Sequence, residues 1–146
     1  MSKKDRAIEL FIVDIFVAIE KIKLYTRDFQ QADTFRHNSL HWDATIRQLE
    51  ILGESLNHLL DNERFASLAP EYFRKVVNFR NVIVHEYFGI DEEEVWDIVT
   101  QKLDLLHRDM HRIVSHIDMT SAIHSVLEET SDEAIVMMLQ QLLVHA

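Results

Sequence analysis

The segment FRNVIVHEYFGID, Phe79 to Asp91, gathers four side chains suited to work on a phosphate ester: Arg80, Asn81, His85 and Tyr87. A guanidinium presents a planar fork of N–H donors that matches phosphate oxygens, and an imidazole takes up or gives a proton near neutral pH. Those two groups suffice, with no metal or other cofactor, for attack of an RNA 2′-hydroxyl on its adjacent phosphate. Histidine serves as base or acid, and arginine offsets charge in the transition state. The product would carry a 2′,3′-cyclic phosphate. Asn81 would hold the scissile phosphate or fix His85, and Tyr87 adds a hydroxyl and a stacking face.

Spacing sets a condition on this chemistry. Five residues along a helix turn two side chains about 140° apart and separate them by about 7.5 Å of rise. One helix is therefore poorly placed to aim both Arg80 and His85 at one phosphate. Two copies meeting at a two-fold axis bring the same patch together from each side, so the segment predicts a homodimer if it is a site. A helix end offers a competing reading. Arg, His and Tyr there can pair with Glu86, bond the last carbonyls and favour the helix dipole.

The elements that must position these residues read as all-helical. The 146 residues include two Gly and one Pro, and apolar residues recur at three and four. A first helix is expected over Lys4 to Thr26, with apolar residues on more than one side, and a second over Ser39 to Leu60, capped by Asn38 or Ser39. A third begins at Pro70, buries Val82, Ile83 and Val84 with Phe73, Val76 and Val77, and ends before Gly89. Asp91 caps a fourth, with Glu94 reaching back, which runs to about Ile117. A short helix and a last amphipathic one follow. The architecture expected is a four-helix bundle over residues 1–116, with a helical extension, 117–146, packed on the same domain or on a partner.

Composition limits the alternatives. There are no cysteines, which removes disulfides and thiolate chemistry and fits a reducing cytoplasm. Asp14 interrupts the apolar first helix, so no membrane span is expected, and MSKKDRAIEL lacks the pattern of a signal peptide. The net charge of -10 argues against broad nucleic-acid binding. All fifteen Lys and Arg lie at or before Arg112, while the following residues carry five acids and no Lys or Arg. Any RNA contact must therefore be local. Lys3, Lys4, Arg6, Arg74 and Lys75 are candidates for the backbone, with solvated surface as the default. His37 with His41, and His107 with His111, are spaced to share helix faces, but no acid stands in a HExxH frame and both pairs read as surface histidines. Trp96 reads as core, and Trp42 is left open between core and stacking platform.

The same segment resembles the signature of HEPN-domain toxins of the HepT type, R-x-x-x-x-H-x-Y with Asn after the Arg. The helices KDRAIELFIVDIFVAIEKIKLYT and IRQLEILGESLNHL resemble theirs too, so the likeness covers roughly Ser2 to His116. It departs at LAPEYFRKVV, where the family often has an Ile-Pro-Trp-like entry that Tyr72 and Phe73 would replace. The resemblance implies a homodimeric or higher-order ribonuclease with Arg80 and His85 catalytic at the interface and Asn81 in support. It also implies a nucleotidyltransferase antitoxin that silences the enzyme by placing AMP on Tyr87. The reading from another class is a non-catalytic helical subunit that serves a nucleotidyltransferase.

Overall fold

Helix α1 (Ile8–Thr26) is apolar around most of its circumference, and the remaining helices are arranged to cover it. In the computed structural model, which describes residues 6–145 without the side chains of Tyr87 and His145, no residue of α1 is fully exposed. Phe11, Ile12, Val13, Ile15, Phe16, Ala18, Ile19 and Ile22 are buried. Each large one removed from water contributes about 1.5–3 kcal/mol. Asp14, the charge inside this run, is tied to Arg6 at 2.5 Å, and the Arg6 guanidinium lies over the Phe11 ring. The expected start of this helix at Lys4 lies outside the described residues.

Helix α3 (Ser39–Leu60) runs along α1 and has the bounds read from its spacing. Asn38 is the cap, its side chain accepting from the His41 amide at 3.3 Å. The polar connection before it holds a short helix that periodicity did not reveal, α2 (Ala32–Arg36). Five residues are too few to show a period. Phe35 of α2 is fully buried among Phe29, Trp42 and Trp96, with ring centres 5.3–5.7 Å away. Trp42, left open by the sequence, is thus a core residue. A second short helix, α4 (Glu63–Leu68), is capped by Asn62 and buries Phe65.

Helix α5 (Tyr72–His85) packs on α3 and starts two residues after Pro70. Beyond it, α6 (Glu92–Asp97), a π turn (Ile98–Lys102) and α7 (Leu103–Val114) form one continuous helical rod where a single helix was expected. Asp91 caps the rod through the Glu93 amide at 2.9 Å. The wider π turn places Asp97 and Lys102, five apart, within 3.3 Å. Helices α8 (Thr120–Glu129) and α9 (Glu133–His145) rest on α1 and lend Ile123, Ile135, Leu139 and Leu142 to the same core. The architecture is all-α, with no strand among the described residues, and no described helix is long and apolar enough to cross a membrane.

The seam between α1 and α7 carries a titratable side chain. Phe16 meets the rings of His107 and His111 edge-on, at 5.7 and 5.0 Å. His107 is half-buried, and desolvation, aided by Lys23 and His111, lowers its pKa to about 4. Its neutral form is therefore favoured by folding. The contribution is complete above the ordinary imidazole pKa near 6.5 and is lost as pH falls toward 4. Urea midpoints should decline over that window in the wild type, modestly because the ring is partly solvated, and His107→Gln should flatten the decline.

Candidate functional site

Placed on a helical wheel, α5 has an inward arc formed by Phe73, Val77, Phe79 and Ile83, all buried, and Arg80 falls inside that arc. A charged residue there needs room. Gly53 of α3 provides it: a Cβ on Gly53 would stand 2.3 Å from Arg80 Cβ and 2.8 Å from its Cγ. The absent side chain lets the stem of Arg80 lie directly on the α3 backbone. Glycine inside a helix costs about 1 kcal/mol relative to alanine, so its presence at mid-helix marks this close approach. Gly89, by contrast, has open space around it and no positive φ.

The far end of Arg80 turns away from the core. Its Nη1 donates to Asn81 Oδ1 at 3.0 Å, and Asn81 is on the exposed arc. Nε is buried with no hydrogen-bond partner among the described residues. Such an orphan costs about 1–3 kcal/mol, a penalty that an arginine retained only for stability has no reason to carry. His85, the last residue of α5, is exposed on the arc of Asn81, Asn78, Arg74 and Lys75. The fold therefore lodges Arg80 by its stem and directs its guanidinium, through Asn81, toward the side from which His85 projects.

Val82 and Val84 were expected to be buried with Ile83. Only Ile83 is buried, at 2% exposed, whereas Val82 and Val84 are 37% and 44% exposed. Three consecutive helical residues cannot share one inward stripe, and the last turn of α5 is left open on the side of Val84. Phe88 in the 3-10 turn Tyr87–Gly89 is 100% exposed. His85 is thus bordered by exposed apolar side chains. Tyr87 opens that turn, two residues past His85, and its side chain lies outside the description. Among the described residues no ion pair joins Glu86 to Arg80 or His85, so the helix-end reading lacks the pairing it called for.

The entry to α5 is fixed by Tyr72 and Phe73. Phe73 is fully buried against Phe65, and the Tyr72 hydroxyl donates to Asp109 Oδ2 at 2.5 Å across to α7. Burial and the neighbouring Asp109 carboxylate push the Tyr72 pKa upward. Trp96 is half-buried and packs on Phe35, as read. Of the basic candidates, Arg74 and Lys75 are exposed beside the site, Arg6 is tied to Asp14, and Lys3 and Lys4 lie outside the described residues. His37 bonds the Asp33 carbonyl and His41 the Asn38 side chain, each at its own helix end. The His107 and His111 pair departs from a simple surface reading, because His107 is half-buried. Gly53 escaped notice in the sequence, although a lone glycine inside the period of α3 was the available signal.

The fold is an all-α bundle, and comparison with known sequences gives its class as a ribonuclease family. Residues 15–117 match the family described as Ribonuclease HepT-like. Two chains of Methanocaldococcus jannaschii, provisionally named RNases, are each 31% identical to this one, over 111 and 119 residues. Those matches cover 75% and 81% of this chain and 97% and 94% of the relatives. A probable ribonuclease HepT of Thermococcus cleftensis is 32% identical over 97 residues, 66% of this chain and 86% of its own. No solved structure matches. The chain belongs to the HepT-like ribonuclease family.

The contact between Gly53 and Arg80 makes a direct prediction. Gly53→Ala should destabilise the protein by about 1–3 kcal/mol through overpacking. In an Arg80→Gly background, which removes the atoms it would strike, the same change should instead stabilise by up to about 1 kcal/mol. Urea unfolding of the four species in this cycle checks it, and equal costs in both backgrounds would contradict the contact.

Proposed function

We propose that this protein is an endoribonuclease toxin whose active site forms across a homodimer. The observation that carries the reading is the hold on Arg80: stem on Gly53, one donor on Asn81, guanidinium turned toward the arc of His85. The exposed apolar residues bordering His85 support a partner subunit over this helix end, since a dimer would cover Val82, Val84 and Phe88. Two arginines and two histidines would then face one groove, which relieves the angular mismatch within a single α5.

In the reaction, His85 of one subunit takes the proton of an RNA 2′-hydroxyl as its oxygen bonds to phosphorus. The bond from phosphorus to the 5′-oxygen of the next nucleotide breaks, and that oxygen leaves with a proton from the second imidazole or from water. Arg80 offsets the charge gathering on the phosphoryl oxygens. Products are a 2′,3′-cyclic phosphate and a free 5′-hydroxyl. Arg74 and Lys75, exposed on the same arc, supply local positive charge in a chain whose net charge is -10. None of these steps calls for a metal.

Control would fall on Tyr87. A nucleotidyltransferase antitoxin lets the phenol oxygen of Tyr87 attack the α-phosphorus of ATP, with pyrophosphate leaving and the phenolic proton lost to solvent. The attached AMP brings a negative phosphodiester and a nucleoside to the place where RNA must sit, and blocks it by charge and volume.

Purified protein incubated with total cellular RNA in EDTA should generate new ends bearing 2′,3′-cyclic phosphate. Arg80→Ala and His85→Ala should each lower cleavage by a thousandfold or more while circular dichroism and dimer mass stay as in the wild type. No cleavage by wild-type protein free of AMP would instead favour a non-catalytic subunit of the nucleotidyltransferase. Tyr87→Phe should remain active and escape the antitoxin; a silenced variant, with no AMP adduct by intact mass on the wild type, would reject the modification.

A further inference from the structure

A second constellation lies on other elements, at the seam of α1, α7 and α9. His107 Nε2 and His111 Nε2 are 3.2 Å apart. Their ring centres are 4.5 Å apart, farther than the nitrogens, so the two Nε2 corners converge. With metal–nitrogen bonds of about 2.0–2.1 Å, two imidazole nitrogens on one ion stand about 2.9 Å apart at a right angle and about 3.3 Å at the tetrahedral angle. The observed separation falls between those limits. Two histidines four apart on one helix turn are already at the bite of a single ion, and Phe16 packs edge-on against both rings and limits their rotation.

Both rings line a cavity of about 470 Å³ whose far wall is α9, with Met137, Met138 and Gln141, and into which Glu20 of α1 also faces. Among the described residues no group of three or more His, Asp or Glu could close around an ion. The site is therefore an open one, with two protein nitrogens and the remaining positions turned to the cavity.

We infer that His107 and His111 bind a single divalent transition ion, Cu(II) or Zn(II), at the α7 wall of this cavity, apart from the Arg80 and His85 chemistry. Copper should bind more tightly, following the general order of affinities for nitrogen ligands. Without metal, one imidazole donates its Nε2 proton to the other. On binding, that proton moves to Nδ1 of the same ring, so both Nε2 lone pairs reach the ion and no net proton is released. The facing charges are mixed: Lys23 on α1 opposes a cation, and Asp104, 3.8 Å from Lys23, offsets it.

Calorimetric titration of the full-length chain, stripped with EDTA and desalted, with copper sulfate and with zinc chloride tests the site. One equivalent should bind. His107→Gln and His111→Gln should each weaken binding at least tenfold, while the double variant His37→Gln/His41→Gln should leave it unchanged. Electron paramagnetic resonance of the copper form should show coupling to two imidazole nitrogens, and metal should raise the melting temperature of the wild type and of the His37/His41 variant more than that of His107→Gln or His111→Gln. Affinity undiminished by His111→Gln, or lost in the His37/His41 variant instead, would overturn the assignment. If His107→Gln unfolds, His111→Gln and the resonance spectrum still decide it.

Discussion

Because no part of α1 is fully exposed, each neighbouring element is positioned by the side of α1 that it covers. Helix α3 takes one side, the rod of α6 and α7 meets another, and α8 and α9 close the rest. Helix α5 packs on α3, one layer farther out. That displacement matters for the chemistry. An element that is not wholly enclosed can keep an arc for solvent, and Arg74, Asn78, Asn81 and His85 occupy it. The burial of this mostly apolar helix, with Asp14 tied to Arg6, thus leaves α5 free to keep an exposed arc.

Much of this was readable from apolar spacing and capping chemistry. The bounds of α3, the Asn38 and Asp91 caps and the packing of Trp96 against the core follow from local rules. What escaped the sequence has nonlocal causes. Whether Trp42 is core depends on where Phe35 comes to lie, and Phe35 sits on a helix too short to announce itself. The π turn widens a helix whose period is otherwise unbroken.

The candidate site was half legible in the same sense. Residue types named Arg80, Asn81 and His85, but a wheel alone left the arginine and the histidine on different faces. What a wheel omits is the contact with Gly53, twenty-seven positions away in sequence, and the bond from Arg80 to the Asn81 side chain. Likewise, His107 and His111 were visible as a spaced pair, whereas the convergence of their nitrogens is set by rotamers that Phe16 helps to fix.

Helices α8 and α9 carry acids without any Lys or Arg and rest on α1, whereas α5 rests on α3 and turns its exposed arc to solvent. All the Lys and Arg of this net anion thus lie on other elements. A polyanion approaching α8 and α9 meets carboxylates with no Lys or Arg on those helices, and one approaching the exposed arc of α5 meets Arg74 and Lys75. Encounters are therefore sorted by orientation before any base is touched, and added salt, by screening the repulsive flank as well as the attractive one, blurs direction along with strength.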